Sequence, residues 1–340
     1  MMNSELVTEI RELTCNILIC GENFYIMKHS TDRLYAIFSE ITGITADNYN
    51  REEIILPSGK AISPSGAAHC LLEFKRTAIF LRGIDKAIQQ KLAGNRTSPI
   101  QLLYAGTGPF ATLVVPILTL YTSAQLQVDL LDINKRSLEA AQKVIGELGL
   151  TEFVKSSFLS DAATFLVERE YDIVISETMQ AALKKEPQVA IMQNLIPQMN
   201  NQAIFIPESI TVSAVITSGG HWDAESMSRT GINVLIQKKL FTSDKLHLDS
   251  TTYRSDFTID EPVGNCRYLQ LHTTINVFND EWLEDSDCSL TLPVKVCILD
   301  ENQTGTFSFW YEQGEIPGVR CQISGSEQIY DAINSKTRRS

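Results

Sequence analysis

The chain has 340 residues and a formal net charge of -12 at pH 7, which argues against a general nucleic-acid binder, because phosphate binding needs clustered lysine and arginine. With 44% hydrophobic and 21% charged residues, the composition is typical of a globular protein with room for one or two domains. The acidity suits a cationic or neutral substrate, although many proteins are acidic only for solubility.

The cysteines and the N-terminus bear on the compartment. Seven cysteines are scattered without a CxxC pair, so neither a metal cluster nor a disulfide scaffold is supported. The first twenty residues, MMNSELVTEIRELTCNILIC, mix acidic and apolar side chains without a basic n-region, which predicts an amphipathic helix rather than a signal peptide. No apolar run approaches the length of a membrane span. We therefore expect a cytoplasmic protein with no metal, membrane or nucleic-acid partner.

Helical periodicity dominates the first ninety residues. Apolar residues recur at helical spacing over 4–45, and a strong helix is predicted over 67–92. Between them, LPSGKAISPSGAAH is rich in proline and glycine, which predicts a loop.

From residue 100 the pattern alternates. The predicted strands are IQLLYAG, LQVDLLDIN, a short segment at 153–156, YDIVISE, and one or two strands in QAIFIPESITVSAVIT. The predicted helices are PFATLVVPILTLY (with a kink at Pro116), KRSLEAAQKVIGELGL, DAATFLVERE and QVAIMQNLIPQM. This alternation indicates an α/β fold with a Rossmann-like, doubly wound and mainly parallel sheet.

Beyond about residue 217 the pattern becomes that of antiparallel strands. RYLQLHTTINVFND, CSLTLPVKVCILD and GTFSFWYEQ alternate with β-branched and aromatic residues between turn signals, as in a barrel or sandwich. We therefore divide the chain into an N-terminal helical or lid segment (1–66), the α/β core (67–217), a β-rich domain for substrate binding or oligomerisation (218–328) and a polar tail (329–340).

The turn GTGPFA follows the first core strand. Its glycines, Gly106 and Gly108, let the backbone reach positive φ and approach a ligand, although a purely structural turn is equally compatible. Asp132 ends the second strand, 24 residues after Gly108, where an acid can bind both ribose hydroxyls or cap the next helix. Asn134 could equally be the cap. Phe110 replaces the third glycine of the dinucleotide fingerprint and no phosphate-binding lysine is near, which favours S-adenosylmethionine over NAD or ATP.

A pair of glutamates follows a later core strand. SETMQAALKKE places Glu177 and Glu186 nine residues apart after YDIVI. Taken singly, Glu177 would be interpreted as an acid at a helix N-terminus and Glu186 as a surface residue. Taken together, in a Rossmann-like context, they are placed to clamp a planar cation.

Three motifs together resemble the protein arginine methyltransferases, which are class I S-adenosylmethionine-dependent enzymes. GTGPFA resembles the G-x-G-P-hydrophobic variant of the branch that makes symmetric dimethylarginine, and SETMQAALKKE resembles the double-Glu loop. LLEFKRTAIF resembles the L-x-D-x-x-R-T helix, with Glu73 in place of the aspartate and with Arg76 and Thr77 matching. The resemblance covers residues 67–217.

This resemblance implies a cofactor, a fold and roles for residues. The cofactor would be S-adenosyl-L-methionine, giving S-adenosyl-L-homocysteine, and a β-barrel-like domain would follow the core. Glu177 and Glu186 would be the catalytic pair that holds a guanidino group, and Arg76 would bind the carboxylate of the cofactor. Met179 would pack on the cofactor or on the core, and Asp161 would contact the adenine amino group or cap a helix. The full predicted cofactor set is Arg76, Gly106, Thr107, Gly108, Asp132, Asp161 and Met179.

Departures from the family concern the acceptor more than the cofactor. Tyr104 stands where many class I methyltransferases carry an acid, and Gln180 replaces a glycine of the double-Glu loop. No Thr-His-Trp loop is present late in the chain, since GGHW at 219–222 comes too early. We therefore predict methylation of the guanidino group of free arginine or a related small metabolite, with an arginine-containing peptide as the other acceptor and a homodimer as one assembly. Two alternatives are a methyltransferase for another amine, hydroxyl or carbon nucleophile and a catalytically inactive partner subunit.

Overall fold

The computed structural model describes residues 2–46, 53–94, 97–218, 233–248 and 253–332. Its N-terminal part consists of helices and one hairpin: α1 (Met2–Ile19), α2 (Phe24–Thr42), β1 (Ile54–Leu56), β2 (Gly59–Ala61), α3 (Pro64–His69) and α4 (Phe74–Leu92). The break between the first two helices is fixed by Asn23, whose side chain accepts a hydrogen bond from the N–H of Ile26 and so caps α2. Helix α2 ends at Gly43, which adopts the left-handed conformation.

A parallel sheet with helical connections forms the middle of the molecule. Its elements are β3 (Ile100–Ala105), α5 (Val115–Leu118), β4 (Leu126–Asp132), α6 (Lys135–Glu147), β5 (Val154–Leu159), β6 (Ile173–Ser176), α7 (Gln188–Leu195) and β7 (Ile204–Ile206). The strand order is β5-β4-β3-β6-β7, and all neighbours are parallel. The order reverses between β3 and β6, and ligands of such sheets bind where the strands on either side of this point end.

Burial explains why these segments form the sheet. Nearly every residue of β3, β4, β6 and β7 is buried, as expected for parallel strands covered on both faces. Helix α6 turns one apolar stripe inward, formed by Leu138, Ala141, Val144 and Ile145.

The C-terminal part is antiparallel. Its strands are β8 (Ser209–Thr217), β9 (Val234–Asp244), β10 (Arg254–Ile259), β11 (Tyr268–Phe278), β12 (Glu281–Leu283), β13 (Val294–Ile298), β14 (Gly305–Glu312), β15 (Gly318–Ile323) and β16 (Ile329–Asp331). One sheet has the order β12-β11-β8-β9 with β13 also paired to β11, and the other has the order β10-β14-β15-β16. Helix α4 packs closely on β11, since a Cβ atom on Gly83 would lie 2.6 Å from Cγ1 of Val277.

Two predicted core helices are wrong in extent or absent. PFATLVVPILTLY forms only the single turn α5, because Ala111 has a φ of 44° and Pro116 has no N–H to donate. DAATFLVERE forms turns instead of a helix. There, the carboxylate of Asp161 accepts a hydrogen bond from the N–H of Ala163, and the side-chain amide of Asn194 in α7 donates to the carbonyls of Ala162 and Phe165. The local backbone groups therefore bond to side chains rather than to a helical ladder.

Other expectations differ in detail. The predicted loop at 56–69 contains β2 and α3, and the predicted helix over 67–92 is interrupted at Glu73, which has a ψ of 78°. Ser289–Thr291 is a 3-10 turn rather than part of a strand. The sequence GGHW and the end of the tail lie outside the described residues. Among the helices that the structure describes, none is both long and apolar enough to cross a bilayer.

Candidate functional site

The glycine-rich turn after β3 is tightly enclosed. Gly106 has a φ of 82° and Gly108 a φ of 60°, a region that favours glycine. A Cβ atom on Gly106 would lie 2.4 Å from Cγ2 of Thr178, and one on Gly108 would lie 3.3 Å from Cβ of Ala67. The turn is therefore held between the segment after β6 and helix α3.

Asp132 at the end of β4 organises this turn. Its Oδ2 accepts hydrogen bonds from the N–H of Gly108 at 2.9 Å and the hydroxyl of Thr107 at 3.2 Å, and its Oδ1 accepts one from the N–H of Asn134 at 2.7 Å. Burial raises the pKa of Asp132, and these donors oppose the rise. Asn134 is the cap of α6, since its side chain accepts a hydrogen bond from the N–H of Ser137. Asp132 is therefore not needed as the helix cap.

Arg76 in the first turn of α4 joins two carboxylates. The guanidinium is buried, donates to Oε2 of Glu73 at 2.8 Å and forms a close ion pair with Oε2 of Glu177. Desolvation opposes the charge on Glu73, yet Arg76 and Ser289 together lower the pKa of this carboxyl. The backbone N–H and the hydroxyl of Ser289 both donate to Glu73, at 3.0 and 2.9 Å. The ion-pair network therefore connects the α/β core to the β-rich part.

Glu177 follows β6 and has an incomplete set of hydrogen bonds. Its Oε1 is buried and has no hydrogen-bond partner within the described parts of the chain. Desolvation raises the pKa of Glu177 to about 7, against the pull of Arg76. A buried carboxylate oxygen without a donor is costly, which makes this atom a candidate to accept hydrogen bonds from a ligand.

Glu186 lies at the other end of the same loop. It is buried and accepts a hydrogen bond from the side-chain amide of Gln180 at 2.8 Å. Burial raises the pKa of Glu186, and the contact with Gln180 opposes the rise. Gln180 is therefore in direct contact with the second glutamate.

The loop that carries both glutamates, residues 176–186, is called the double-Glu loop below. It contains three non-glycine residues in the left-handed region. Ala182, Leu183 and Lys185 have φ values of 58°, 54° and 68°. Each such residue costs of order 1–3 kcal/mol and persists only where its surroundings fix it. The loop must therefore be held by contacts from outside.

Contacts from the β-rich part and from the α/β core hold this loop. From the β-rich part, the hydroxyl of Thr273 accepts from the N–H of Ala182, and the hydroxyl of Tyr311 donates to the carbonyl of Leu183. From the core, the side chain of the fully buried Gln188 accepts from the N–H of Thr178 and donates to the carbonyl of Ser176.

The β1–β2 hairpin holds the loop from the N-terminal side. The N–H of Lys60 donates to the carbonyl of Lys185 at 2.8 Å. Gly59 has a φ of 141°, and a Cβ atom there would lie 2.9 to 3.1 Å from backbone atoms of Lys185, Glu186 and Pro187. The turn of the hairpin is therefore in direct contact with the backbone of the second glutamate.

One cavity of about 750 Å³ is bordered by every catalytic and cofactor-binding residue that was predicted from the sequence. These are Arg76, Gly106, Thr107, Gly108, Asp132, Asp161, Glu177, Met179 and Glu186. The structure brings these nine residues together, while their individual roles stay predictions. Tyr104 also lines the cavity, and desolvation raises its pKa, so this buried phenol is neutral. Within the described residues, no cluster of three or more histidine, cysteine or acidic side chains is arranged to hold a metal ion.

Sequence reasoning missed several residues of this site. Gln188 carries no motif, and Ser289 meets Glu73 from a position 216 residues away. Gly59 and Lys60 lie in a segment whose proline and glycine content indicated only a loop. A glycine next to a short apolar strand was the available signal for a hairpin, but nothing local indicated its contact with the double-Glu loop.

Comparison with known proteins gives the fold. No family model and no curated protein matches the chain. Among solved structures, a Trypanosoma brucei PRMT1 enzyme-prozyme heterotetrameric complex with AdoHcy is similar, with a TM-score of 0.54 and 12% sequence identity over 77% of this chain and 94% of that chain.

This similarity, together with the sheet order, confirms the predicted fold class. The chain has an α/β core with a parallel sheet, helices at its N-terminus and a C-terminal antiparallel β-rich part, and this fold is similar to that of the trypanosome structure. Closure of the C-terminal strands into a barrel and the division of the chain into four segments stay predictions.

Proposed function

We propose that this chain is an S-adenosylmethionine-dependent N-methyltransferase that acts on the guanidino group of free arginine or a related small metabolite. One observation carries the proposal. Two carboxylates of a single loop, the buried Glu186 and Glu177 with its buried Oε1, border the same cavity as the glycine-rich turn and Asp132. A cavity with these two sets of groups suits an adenosyl cofactor beside a planar cation.

The residues of the cavity fit S-adenosylmethionine. When bound, this cofactor supplies a methyl group that is electrophilic because it is carried on a sulfonium. Gly106 and Gly108 leave room for a ligand beside the backbone, and Asp132 is the acid for the ribose hydroxyls. The contacts of Arg76 with Glu73 and Glu177 leave further N–H groups of this guanidinium for a carboxylate. The similar trypanosome structure is a complex with AdoHcy, which supports the same ligand class here.

Glu177 and Glu186 would bind and orient the acceptor. A guanidinium is always charged, and its delocalised lone pairs make it a poor nucleophile. Two carboxylates can bind the planar group through charge-assisted hydrogen bonds and hold one nitrogen in a reactive position. They also stabilise positive charge on the acceptor as its nitrogen gains the methyl group and then loses a proton, which one of the two carboxylates or water would accept. Because that proton leaves late, no strong base is needed.

The surroundings of the carboxylates favour a small acceptor. Leu56 and Lys60 of the hairpin border the cavity on one side, and residues 289–290 and 292–295 border it on another. Its volume of about 750 Å³ must hold the cofactor as well as the acceptor and is within the usual range for small-molecule sites, roughly 300–1,000 Å³. A small acceptor beside the cofactor therefore fits this volume.

An assay with labelled S-adenosylmethionine tests the acceptor. We expect methyl transfer to free arginine at a higher kcat/KM than to arginine-rich peptides. A higher kcat/KM for the peptides would be consistent with guanidino methylation but would contradict a small acceptor. Turnover of neither, in a protein that binds S-adenosylhomocysteine by calorimetry, would contradict the guanidino acceptor. Failure to bind S-adenosylhomocysteine at high micromolar concentration would favour an inactive partner subunit.

One observation favours a second candidate function. A pKa of about 7 for Glu177 suits a general base at neutral pH, as methylation of a neutral amine or hydroxyl would require. In that case Glu177 would deprotonate the nucleophile rather than bind a cation. In either reaction, Glu177→Gln should lower kcat by about 100-fold or more and leave binding of S-adenosylhomocysteine within about threefold, and full activity of this variant would contradict both roles of Glu177. Glu147→Gln, on the exposed face of α6, is the matched control.

Assembly and compartment also belong to the proposal. The similar trypanosome protein forms a heterotetrameric complex, which supports an oligomeric assembly, and we propose a homodimer. The scattered cysteines favour a cytoplasmic location.

A further inference from the structure

One charged side chain of the cavity has no role in the chemistry proposed above. Lys184 lies on the double-Glu loop, borders the same cavity as Glu177 and Glu186, and is only partly exposed. In the ranges that the structure describes, no carboxylate, hydroxyl or carbonyl oxygen binds its ammonium group. Burial and the neighbouring Lys185 lower its pKa. A partly buried cation without a counter-ion favours an anionic ligand.

The other cations that border the cavity are engaged. Arg76 binds Glu73 and Glu177, and the ammonium group of Lys60 forms an ion pair with Glu53. The ammonium group of Lys295 lies 5.9 Å from the centre of the Tyr268 ring, within the range of a cation–π contact.

The acidic groups of the cavity also have donors. Asp132 and Asp161 accept hydrogen bonds from backbone N–H groups, and Glu186 accepts one from Gln180. Two groups of this cavity have no hydrogen-bond or ion-pair partner among the described residues: a buried carboxylate oxygen and a partly buried ammonium group. They are Oε1 of Glu177, which suits a cation, and the ammonium group of Lys184, which suits an anion.

The backbone of Lys184 is held on both sides by the β-rich part. The carbonyl of Leu183 accepts a hydrogen bond from Tyr311 in β14, and the N–H of Lys185 donates to the carbonyl of Pro317 at 2.8 Å. The side chain therefore starts from a fixed point of the cavity wall rather than from a free loop, and such pre-organisation lowers the entropic cost of binding.

We propose that Lys184 binds the carboxylate of the acceptor, so that the substrate class is a free guanidino carboxylic acid. This inference rests on the proposed function and makes it more specific. The guanidino end would bind Glu177 and Glu186, and the acid end would bind Lys184. An arginine inside a peptide has no free carboxylate for this lysine, and a decarboxylated guanidine has none either.

The test compares arginine with agmatine, its decarboxylated form. Both are titrated calorimetrically into the full-length protein saturated with S-adenosylhomocysteine. We expect arginine to bind wild type at least about 10-fold more tightly than agmatine. In Lys184→Gln the difference should fall to within about twofold, because arginine binding weakens. Lys184→Arg keeps the positive charge and should retain the preference, which separates the loss of an ion pair from misfolding.

Lys185→Gln is the matched control. It removes the same charge from the adjacent residue, which does not border the cavity, and should keep the preference for arginine. Equal affinities of wild type for the two ligands, or a preference that survives in Lys184→Gln, would overturn the inference and leave the guanidino function standing. A loss of S-adenosylhomocysteine affinity of about 10-fold or more in Lys184→Gln would assign the lysine to the cofactor instead and would also overturn it. Binding of neither guanidine would contradict the proposed function itself.

Discussion

Glu177 combines burial, an ion pair and a free oxygen. Its Oε2 is paired with Arg76, while its Oε1 has no partner in the described structure. Since desolvation raises its pKa to about 7, a proton competes with a cationic ligand for this group at physiological pH. The guanidinium of arginine does not titrate in this range, so the part of the pH dependence of its binding that disappears in Glu177→Gln should report Glu177.

The affinity for arginine should therefore rise with pH. In the S-adenosylhomocysteine complex, whose thioether carries no charge, we expect the Kd of arginine to fall by about 10-fold between pH 6 and pH 8. The sign follows because Glu177 is protonated below its pKa and accepts fewer hydrogen bonds. Calorimetry over this pH range measures the change. A flat profile in wild type, or the same inflection in Glu177→Gln, would contradict the assignment.

Gly106 tests the cofactor side of the cavity. In Gly106→Ala, the new Cβ atom would lie 2.4 Å from Cγ2 of Thr178, at a φ of 82°. The turn must shift, so we expect the affinity for S-adenosylhomocysteine to fall by about 10-fold or more. Gly146→Ala in α6 has no atom within 4 Å of the new Cβ and should leave the affinity unchanged. Equal affinities of the two variants would show that the turn does not contact the cofactor.

The residues of the site were predictable to the extent that each carries a local chemical signal. Two glycines at a strand end, an acid at the next strand end and a spaced glutamate pair all reach the same cavity. Gln188 and Ser289 could not be found in this way, because their contacts depend on how distant segments meet. The tertiary structure, rather than residue type, makes them part of the site.

Among the elements, the β1–β2 hairpin contacts the double-Glu loop directly at its second glutamate. Gly59 lies against the backbone of Lys185, Glu186 and Pro187, and the next residue donates a hydrogen bond to Lys185. The hairpin therefore positions Glu186 through backbone contacts. Gly59 lies 127 residues before Glu186 in the sequence, so the N-terminal segment takes part in forming the end of the cavity at Glu186.

Gly59→Ala should separate acceptor from cofactor. The added methyl group would displace the backbone at Glu186, so we expect kcat/KM for arginine to fall by about 10-fold or more. Affinity for S-adenosylhomocysteine should stay within about threefold of wild type, since the glycine-rich turn is held elsewhere. Gly264→Ala is the control for backbone strain, with a φ of 56° and no atom within 4 Å. Parallel losses in both affinities would show that the hairpin acts on overall stability instead.

The type of an element was predicted correctly where the hydrophobic pattern of the sequence matches the burial in the fold. It was predicted less well where side chains bond to the backbone groups that a helix would pair with each other. The core strands and α6 have strong patterns, and they form as expected. The segment DAATFLVERE has helical composition, but bonds from Asn194 and Asp161 hold it as turns. Helix α5 is short because Ala111 takes a positive φ. The contact with Asn194 comes from another part of the fold and leaves no local trace in the sequence.

At the level of the whole molecule, the candidate site depends on three parts of the chain. The core sheet brings the strand ends together, the N-terminal hairpin contacts Glu186, and the β-rich part holds the double-Glu loop through Thr273 and Tyr311. Residue 289 in the β-rich part also binds Glu73. The division of the chain into residues 1–66, 67–217, 218–328 and 329–340 remains a prediction. The core sheet, the N-terminal hairpin and the β-rich part each contribute to the cavity, and none of them alone would contain all of it.

The most direct test of the central claim is to locate the transferred methyl group. The protein is incubated with arginine and S-adenosylmethionine that carries an isotope-labelled methyl group, and the product is fragmented in a mass spectrometer. We predict that the label is on a guanidino nitrogen, and that Glu177→Gln gives at most about 1% of this product in the same time. A label on any other atom of arginine, or unlabelled arginine from a protein that binds S-adenosylhomocysteine, would contradict the account.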